Sequence, residues 1–289
     1  MKIGVIVDSF RLPLKEGLLK AKEVGAEGVQ IYAVAGEMDP GNLPPSARRE
    51  LKEFVRSLGL EISALCGDLG GHGFAKGEEL EWRIVKSKQI MDLAVELGTS
   101  VVTTHIGVIP EDTSDPAYGN IKSACEELAT YGDRVGATFA VETGPEPAVR
   151  LKRFLDGLGH KGVGVNLDPA NLVMVTGDDP VEATYLLRDY IVHTHAKDGI
   201  MLKRTDPKLV YDYFAEGGIE DVRLEEYFRE VPLGQGQVDF DRWLRALKDI
   251  GYDGFLTIER EVGEDPAKDV EEAVRFLRGK ILEVKGGGK

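Results

Sequence analysis

Cysteine is nearly absent: Cys66 and Cys125 are the only two in 289 residues. Two thiols cannot build a disulfide scaffold, and their separation matches no zinc-ribbon spacing. Histidine is scarce too, with five in the chain, so a centre built from many imidazoles is excluded. Long apolar runs are also lacking, since no stretch nears the ~18–20 uncharged apolar residues of a membrane span. Positive charge is in deficit, 36 Lys+Arg against 50 Asp+Glu, a net charge of −14. Such a surface repels phosphate backbones and anionic lipid, which argues against a nucleic-acid or membrane partner. The opening run Ile3–Val7 stops at Asp8 and reads as a buried strand, so a cytoplasmic protein is expected. Asp8-Ser9-Phe10 stands where a dinucleotide fold would carry a glycine-rich phosphate loop.

What is present is an alternation. Hydrophobic residues make up 42% of the chain and charged residues 30%, enough to bury one large core and solvate its outside. Short apolar runs, KIGVIVDSF, GVQIYA, LEISALCG, SVVTTHIG, ATFAVETG, GVGVNLD, YIVHTHAK and GFLTIER, read as eight strands. Amphipathic segments between them read as helices; Glu79–Leu97, closed by Gly98, is the strongest. Eight strand–helix repeats without consecutive strands imply right-handed crossovers and a parallel sheet. In fewer than three hundred residues they fit a closed (β/α)8 TIM barrel, α/β and single-domain, spanning 1–283. Two segments break the rhythm. A long polar insertion over 199–236, with helical patches at Lys208–Phe214 and Leu224–Phe228, has the length of a lid or a dimer arm. The tail over 284–289 has nothing to pack and reads as flexible.

Reactive groups of such a barrel sit at the C-terminal ends of its strands. Four strand-end residues there can hold a metal or a proton: Glu142 in AVETG, Asp168 in NLDPAN, His195 in HTHAK and Glu259 in TIERE. They lie 26, 27 and 64 residues apart, about one repeat twice and then one repeat plus the insertion. The four therefore fall on strands five to eight. Three carboxylates and one imidazole suit a hard or borderline divalent ion. Each residue alone also has a plain reading. Asp168 before Pro169 could simply cap a turn, and either of His193 and His195, two apart on one strand, could be a core histidine. Equivalent positions in consecutive repeats favour a shared site. His105, Lys197 and His72, the last on the loop CGDLGGHGF, are candidate substrate contacts by position. Arg260 should turn away from the barrel into a structural ion pair.

The strings AVETG, NLDPANL, IVHTHAKDG, PLGQGQVDF and GFLTIERE resemble the sugar phosphate isomerase/epimerase family of xylose isomerase-like TIM barrels, over essentially the whole chain. The resemblance implies that Glu142, Asp168, His195 and Glu259 are ligands of one divalent ion, Mn²⁺ first, with Co²⁺, Mg²⁺ or Zn²⁺ as alternatives. It implies a metal-dependent isomerase or epimerase of a small ketose or related polyhydroxy carbonyl compound, with Glu142 and Glu259 moving a proton through a metal-stabilised enediolate. His72, His105, Asn171, His193 and Lys197 are the implied substrate-binding set. Ketose 3-epimerases typically carry a histidine three positions after the aspartate, where this chain has Asn171. Two rivals share the site: a lyase of the inosose-dehydratase or 3-keto-glycoside type, and a non-catalytic sugar-binding subunit. Endonuclease IV chemistry is excluded by the five histidines and the acidic charge. A small-molecule sugar is the expected partner, and the sequence leaves a homo-oligomer open.

Overall fold

A computed structural model of the chain describes residues 1–286. Eight parallel strands close into a barrel: β1 (Lys2–Ile6), β2 (Gly28–Tyr32), β3 (Glu61–Cys66), β4 (Val101–Thr104), β5 (Thr138–Glu142), β6 (Val163–Leu167), β7 (Ile191–Ala196) and β10 (Phe255–Ile258). Closure runs through β1 and β10, with Lys2 opposite Phe255 and Val5 opposite Ile258. The TIM barrel predicted from the alternation is the fold. Strands such as β6, VGVNL, are buried along their whole length because helices cover one face and the barrel interior the other.

The helices are α1 (Leu14–Val24), α2 (Pro45–Ser57), α3 (Leu80–Leu97), α4 (Pro116–Val135), α5 (Ala148–Asp156), α6 (Pro169–Asn171), α7 (Pro180–Leu186), α8 (Pro207–Ala215), α9 (Phe240–Asp249) and α10 (Pro266–Gly286). An Asp-Pro pair opens five of them, α4, α6, α7, α8 and α10. Asp115, Asp179 and Asp206 each accept the backbone N–H two residues on, while the proline fills a position whose N–H would be unpaired anyway. The run KIGVIVDSF divides: the strand stops at Ile6, and Val7–Phe10 forms a 3-10 turn at the barrel mouth. The predicted tail starts inside α10, which continues to Gly286; residues 287–289 lie outside the described residues. None of the described helices is long and apolar enough to cross a membrane.

The insertion is ordered by its own hydrogen bonds. β8 (Asp198–Met201) and β9 (Phe228–Val231) pair antiparallel as a ribbon, and α8 lies between them in the chain. The expected patch Leu224–Phe228 is a 3-10 turn over Leu224–Glu226 that feeds β9. At the ribbon's base, buried Asp198 accepts N–H bonds from Gly199, Gly234, Gly236 and Val238 at 2.8–3.1 Å. A Cβ on Gly236 would sit 2.1 Å from Asp198 Oδ1, so only glycine lets the backbone come so close.

Candidate metal centre

The barrel interior below the mouth is polar. Gln30 on β2 donates from Nε2 to Thr103 Oγ1 at 3.1 Å, and its Oε1 lies 3.1 Å from His193 Nε2 and 3.2 Å from His195 Nε2. Thr257 Oγ1 is 3.0 Å from the same His193 nitrogen. His193 is thus held one residue pair deeper than the mouth. Its burial and the neighbouring His195 lower its pKa to about 3, so it is a neutral core imidazole. Strand alternation put both histidines inside, as expected; depth separates them.

Above that layer, Glu142, Asp168, His195 and Glu259 converge, one donor atom from each lying within 4.8 Å of all the others. All four are buried. His195 Nδ1 is 3.3 Å from Glu259 Oε2, 3.6 Å from Glu142 Oε1 and 3.7 Å from Asp168 Oδ2. With its proton on Nε2 toward Gln30, the imidazole turns the Nδ1 lone pair toward the three carboxylates, as an outer partner does for a ligand histidine.

Asp168 repeats the Asp-Pro cap with one difference. Its Oδ1 accepts the N–H groups of Ala170 and Asn171 at 2.7 and 2.9 Å, which fixes the carboxylate at the start of α6. Its Oδ2 is buried without a hydrogen-bond partner and faces the other three groups. An orphaned carboxylate oxygen among two more buried carboxylates is costly unless a cation completes it. In the protein alone the nearest substitute is a proton on the imidazole. Burial opposes that charge on His195, but Glu142 and Glu259 outweigh it and raise its pKa well above the ordinary value. Three oxygens and one nitrogen fit Mn²⁺, Mg²⁺ or Co²⁺ by donor chemistry, and the residues present fit such an ion.

The remaining candidates surround this cluster. Asn171 donates from Nδ2 to Glu142 Oε1 at 3.0 Å, and Asn166 donates to Oε2 at 3.1 Å, so Asn171 orients a candidate ligand. His105 Nδ1 pairs with Asp68 Oδ2 at 2.8 Å; its Nε2 has no hydrogen-bond partner and lies 3.8 Å from Glu142 Oε1. Burial works against a charge on His105, yet Glu142 and Asp68 prevail and lift its pKa to about 9. Lys197 is buried among Glu259 (3.1 Å), Glu261 and Glu230 (3.9 Å). Burial disfavours its charge, and Glu259 with Glu261 more than restores it. Arg260 points outward to Glu230 (2.7 Å) and Asp269 (2.8 Å), the expected structural ion pair. His72 does not reach the cluster; it pairs with Glu216 and lies 3.6 Å from Asp212, joining the β3 loop to the insertion.

Several residues here have no sequence signature. The ring of Tyr211, on α8, packs 5.4 Å from that of His105, so the insertion folds over the mouth of its own barrel. The Tyr211 hydroxyl occupies the space where a Cβ on Gly144 would stand, 2.5 Å away, and Gly144 has a φ of +132°. Burial and Glu142 raise the Tyr211 pKa well above normal, so the phenol stays protonated. Glu230, from β9, reaches Lys197 and Arg260. Buried Glu146 accepts the Ile109 N–H at 3.0 Å through Oε2, but its Oε1 has no partner.

The chain is similar to known proteins over much of its length. An inosose dehydratase of Lacticaseibacillus casei is 25% identical over 159 residues, 54% of this chain and 50% of that one; the chain thus spans about half the length of that relative. An L-ribulose-5-phosphate 3-epimerase of Salmonella heidelberg is 24% identical over 288 residues, 93% of this chain and 92% of that one. The crystal structure of a xylose isomerase domain protein from Planctomyces limnophilus superposes with a TM-score of 0.80 at 25% identity, covering 98% of each chain. A model of the xylose isomerase-like TIM barrel family matches residues 18–280. The chain belongs to the xylose isomerase-like TIM barrel family.

Proposed function

We propose that this protein is a divalent-metal-dependent isomerase or epimerase of a small ketose or related polyhydroxy carbonyl compound. The observation that carries the reading is the convergence of Glu142, Asp168, His195 and Glu259 around a buried carboxylate oxygen that has no partner. These four residues would hold the ion, Mn²⁺ first by donor set. When bound, such an ion supplies Lewis acidity to a carbonyl and its neighbouring hydroxyl.

The rest of the chemistry belongs to side chains. Glu142 and Glu259 stand on separate strands, and each can take the proton from the hydroxyl-bearing carbon next to the carbonyl or return it. Asn166 and Asn171 fix both oxygens of Glu142, so its orientation is set before substrate arrives. Lys197 holds Glu259 in its charged form, the form a base requires; burial resists that charge, but Lys197 and His195 keep its pKa below the usual value. His105 Nε2, oriented by Asp68, and the Tyr211 hydroxyl offer hydrogen bonds to substrate hydroxyls. The insertion, by covering the mouth, keeps water from the reacting carbon.

The test is solvent deuterium exchange into a panel of ketoses by Mn²⁺-loaded protein, with metal content measured alongside. Mass-neutral conversion with deuterium at the reacting carbon, lost in Glu142→Gln and Glu259→Gln, is the expected result. Likeness to the inosose dehydratase supports a second reading, elimination of a β-hydroxyl at the same site, and loss of the mass of water would select it. Ligand binding with neither conversion, unaffected by the two variants, would refute both in favour of a binding subunit.

A further inference from the structure

The candidate ligands sit at the ends of β5, β6, β7 and β10, one contiguous half of the barrel wall, and β1 to β4 supply none. Two strands of that other half nevertheless carry a polar side chain that is only 1% exposed: Gln30 in GVQIY and Thr103 in VVTT. Strand alternation aims both into the barrel, and the glutamine spans the interior from β2 to β7. A buried primary amide is tolerated when its oxygen and its NH₂ both find partners.

Both ends of the Gln30 amide have a defined task. Nε2 donates to Thr103 Oγ1 at 3.1 Å, and that hydroxyl is itself aimed at Leu65 O, 3.5 Å away, so its lone pair is left for the amide. Oε1 is thereby turned to β7, where Nε2 of His193 and of His195 lie 3.1 and 3.2 Å away. A carbonyl oxygen has two lone pairs and takes one N–H from each ring. Asn166 Nδ2 lies 3.1 Å from His195 Nε2 and 3.4 Å from Nδ1, but an amide nitrogen does not accept, so Gln30 is the acceptor for the Nε2 proton of that ring. His193 has Thr257 Oγ1 as a further partner. A neutral imidazole carries a single N–H. With that proton held at Nε2, Nδ1 is bare and faces Glu142, Asp168 and Glu259. An amide turned the other way would bring its NH₂ to Nε2 and send the ring proton to Nδ1, into the position an ion needs.

We infer that Gln30 is a positioning residue of the metal centre, that Thr103 holds its amide in the orientation that leaves His195 Nδ1 free for the ion, and that the ion affinity is therefore set in part from strands that carry no ligand. The inference rests on the four-ligand centre of the function proposed above and extends it to β2 and β4. The choice of an amide over a carboxylate follows from the same geometry. Gln30 accepts from two rings without adding a negative charge beside three buried carboxylates.

The experiment joins Mn²⁺ titration calorimetry to ¹⁵N NMR of histidine-labelled, Mg²⁺-saturated protein, where one-bond coupling marks the ring nitrogen that carries the proton. Wild type should show His195 protonated at Nε2. Gln30→Met, close to glutamine in shape but without its acceptor, should bind Mn²⁺ about 10–100-fold more weakly and lose that single-tautomer signature. Thr103→Val leaves Gln30 in place but removes the oxygen that holds its NH₂, and it should shift affinity and spectrum in the same direction. Thr103→Ser, which keeps the hydroxyl, should retain both at wild-type values. Metal-free melts show whether each variant is folded, and the Thr103 pair decides the matter should Gln30→Met not fold. Unchanged Mn²⁺ affinity in a folded Gln30→Met, equal losses in Thr103→Val and Thr103→Ser, or His195 protonated at Nδ1 in the wild type overturns the inference and leaves the four-ligand reading standing. A wild type that binds neither ion refutes the four-ligand reading, and the role of Gln30 with it.

Discussion

Asp168 caps α6 with one oxygen and, in the proposed site, offers the other to the ion, and substitution can separate the two. In Asp168→Asn the Oδ1 cap of α6 survives, because asparagine is as good a cap as aspartate. What changes is the partner-free Oδ2, replaced by an NH₂ that carries no charge and no lone pair toward the other ligands. Loss of an outer-sphere partner costs ~10–100-fold in metal affinity, so loss of a ligand should cost at least the upper figure. At a metal concentration a thousand times the wild-type Kd, binding stabilises the fold by about 4 kcal/mol. A hundredfold weaker site keeps roughly 1.4 kcal/mol of that. The difference is a loss of about 5 °C in metal-induced Tm shift, at ~2 °C per kcal/mol for a large domain. Metal-free Asp168→Asn should melt no lower than metal-free wild type, since it sheds one of three crowded carboxylates. Asp168→Ala lacks the cap as well and should melt lower by the equivalent of ~1 kcal/mol. Thermal melts with and without Mn²⁺, checked by metal analysis, read all three proteins. Equal Mn²⁺ shifts in wild type and Asp168→Asn would refute the assignment of Oδ2 as a ligand atom.

Three further predictions follow from other buried groups. Burial raises the Glu146 carboxyl from 4.5 to about 7, against the pull of the Ile109 N–H. The folded protein then keeps a proton that the unfolded chain releases near 4.5, so stability falls as pH rises between these values and stays reduced above about 7. Glu146→Gln, which still accepts from Ile109, should therefore raise stability at pH 8, by an amount on the order of 3 kcal/mol, and leave it unchanged near pH 4; equal gains at both pH values would contradict the account. Gly144→Ala must place a methyl at a φ of +132° and 2.5 Å from the Tyr211 hydroxyl. It should cost ~1–3 kcal/mol and speed proteolytic cleavage within the insertion, and unchanged cleavage would show that Tyr211 does not hold it. Lys197→Met strands Glu259 without its hydrogen-bonded ammonium and should cost ~3–5 kcal/mol in urea denaturation. Adding Glu259→Gln should return part of that, and a strictly additive double variant would deny the coupling.

The barrel and its four candidate ligands were legible because each depends on a period. Glu142, Asp168 and His195 recur at one-repeat spacing at strand ends, and the same strand geometry fixes where their side chains point. His193 shows the limit of that reasoning. Alternation decides which face a residue occupies but not how deep in a barrel it lies, and two residues of depth separate a core histidine from a candidate ligand. Gln30 left one trace, a polar residue inside the apolar strand GVQIY. Tyr211 and Glu230 left none, because each reaches the site through the fold of the insertion. β8 and β9 are four residues each, too short for alternation to register, and the bonds that define them join positions some thirty residues apart. Asn171 was legible as a neighbour of the centre, yet its role in orienting Glu142 required the distance between them.

The four backbone bonds on Asp198 also bear on how this chain can change. They bring residues 199 and 234–238 together at one carboxylate, so the two ends of the excursion are joined whatever lies between them. A chain segment whose ends are already closed tolerates changes in length at little entropic cost, each doubling adding only ~0.6 kcal/mol. The stretch between the two ribbon strands, from Leu202 to Tyr227, can therefore be shortened, lengthened or exchanged as a cassette while β7 and α9 keep their register. Evolution, or a designer, can vary what covers the mouth from above without disturbing the candidate ligands beneath.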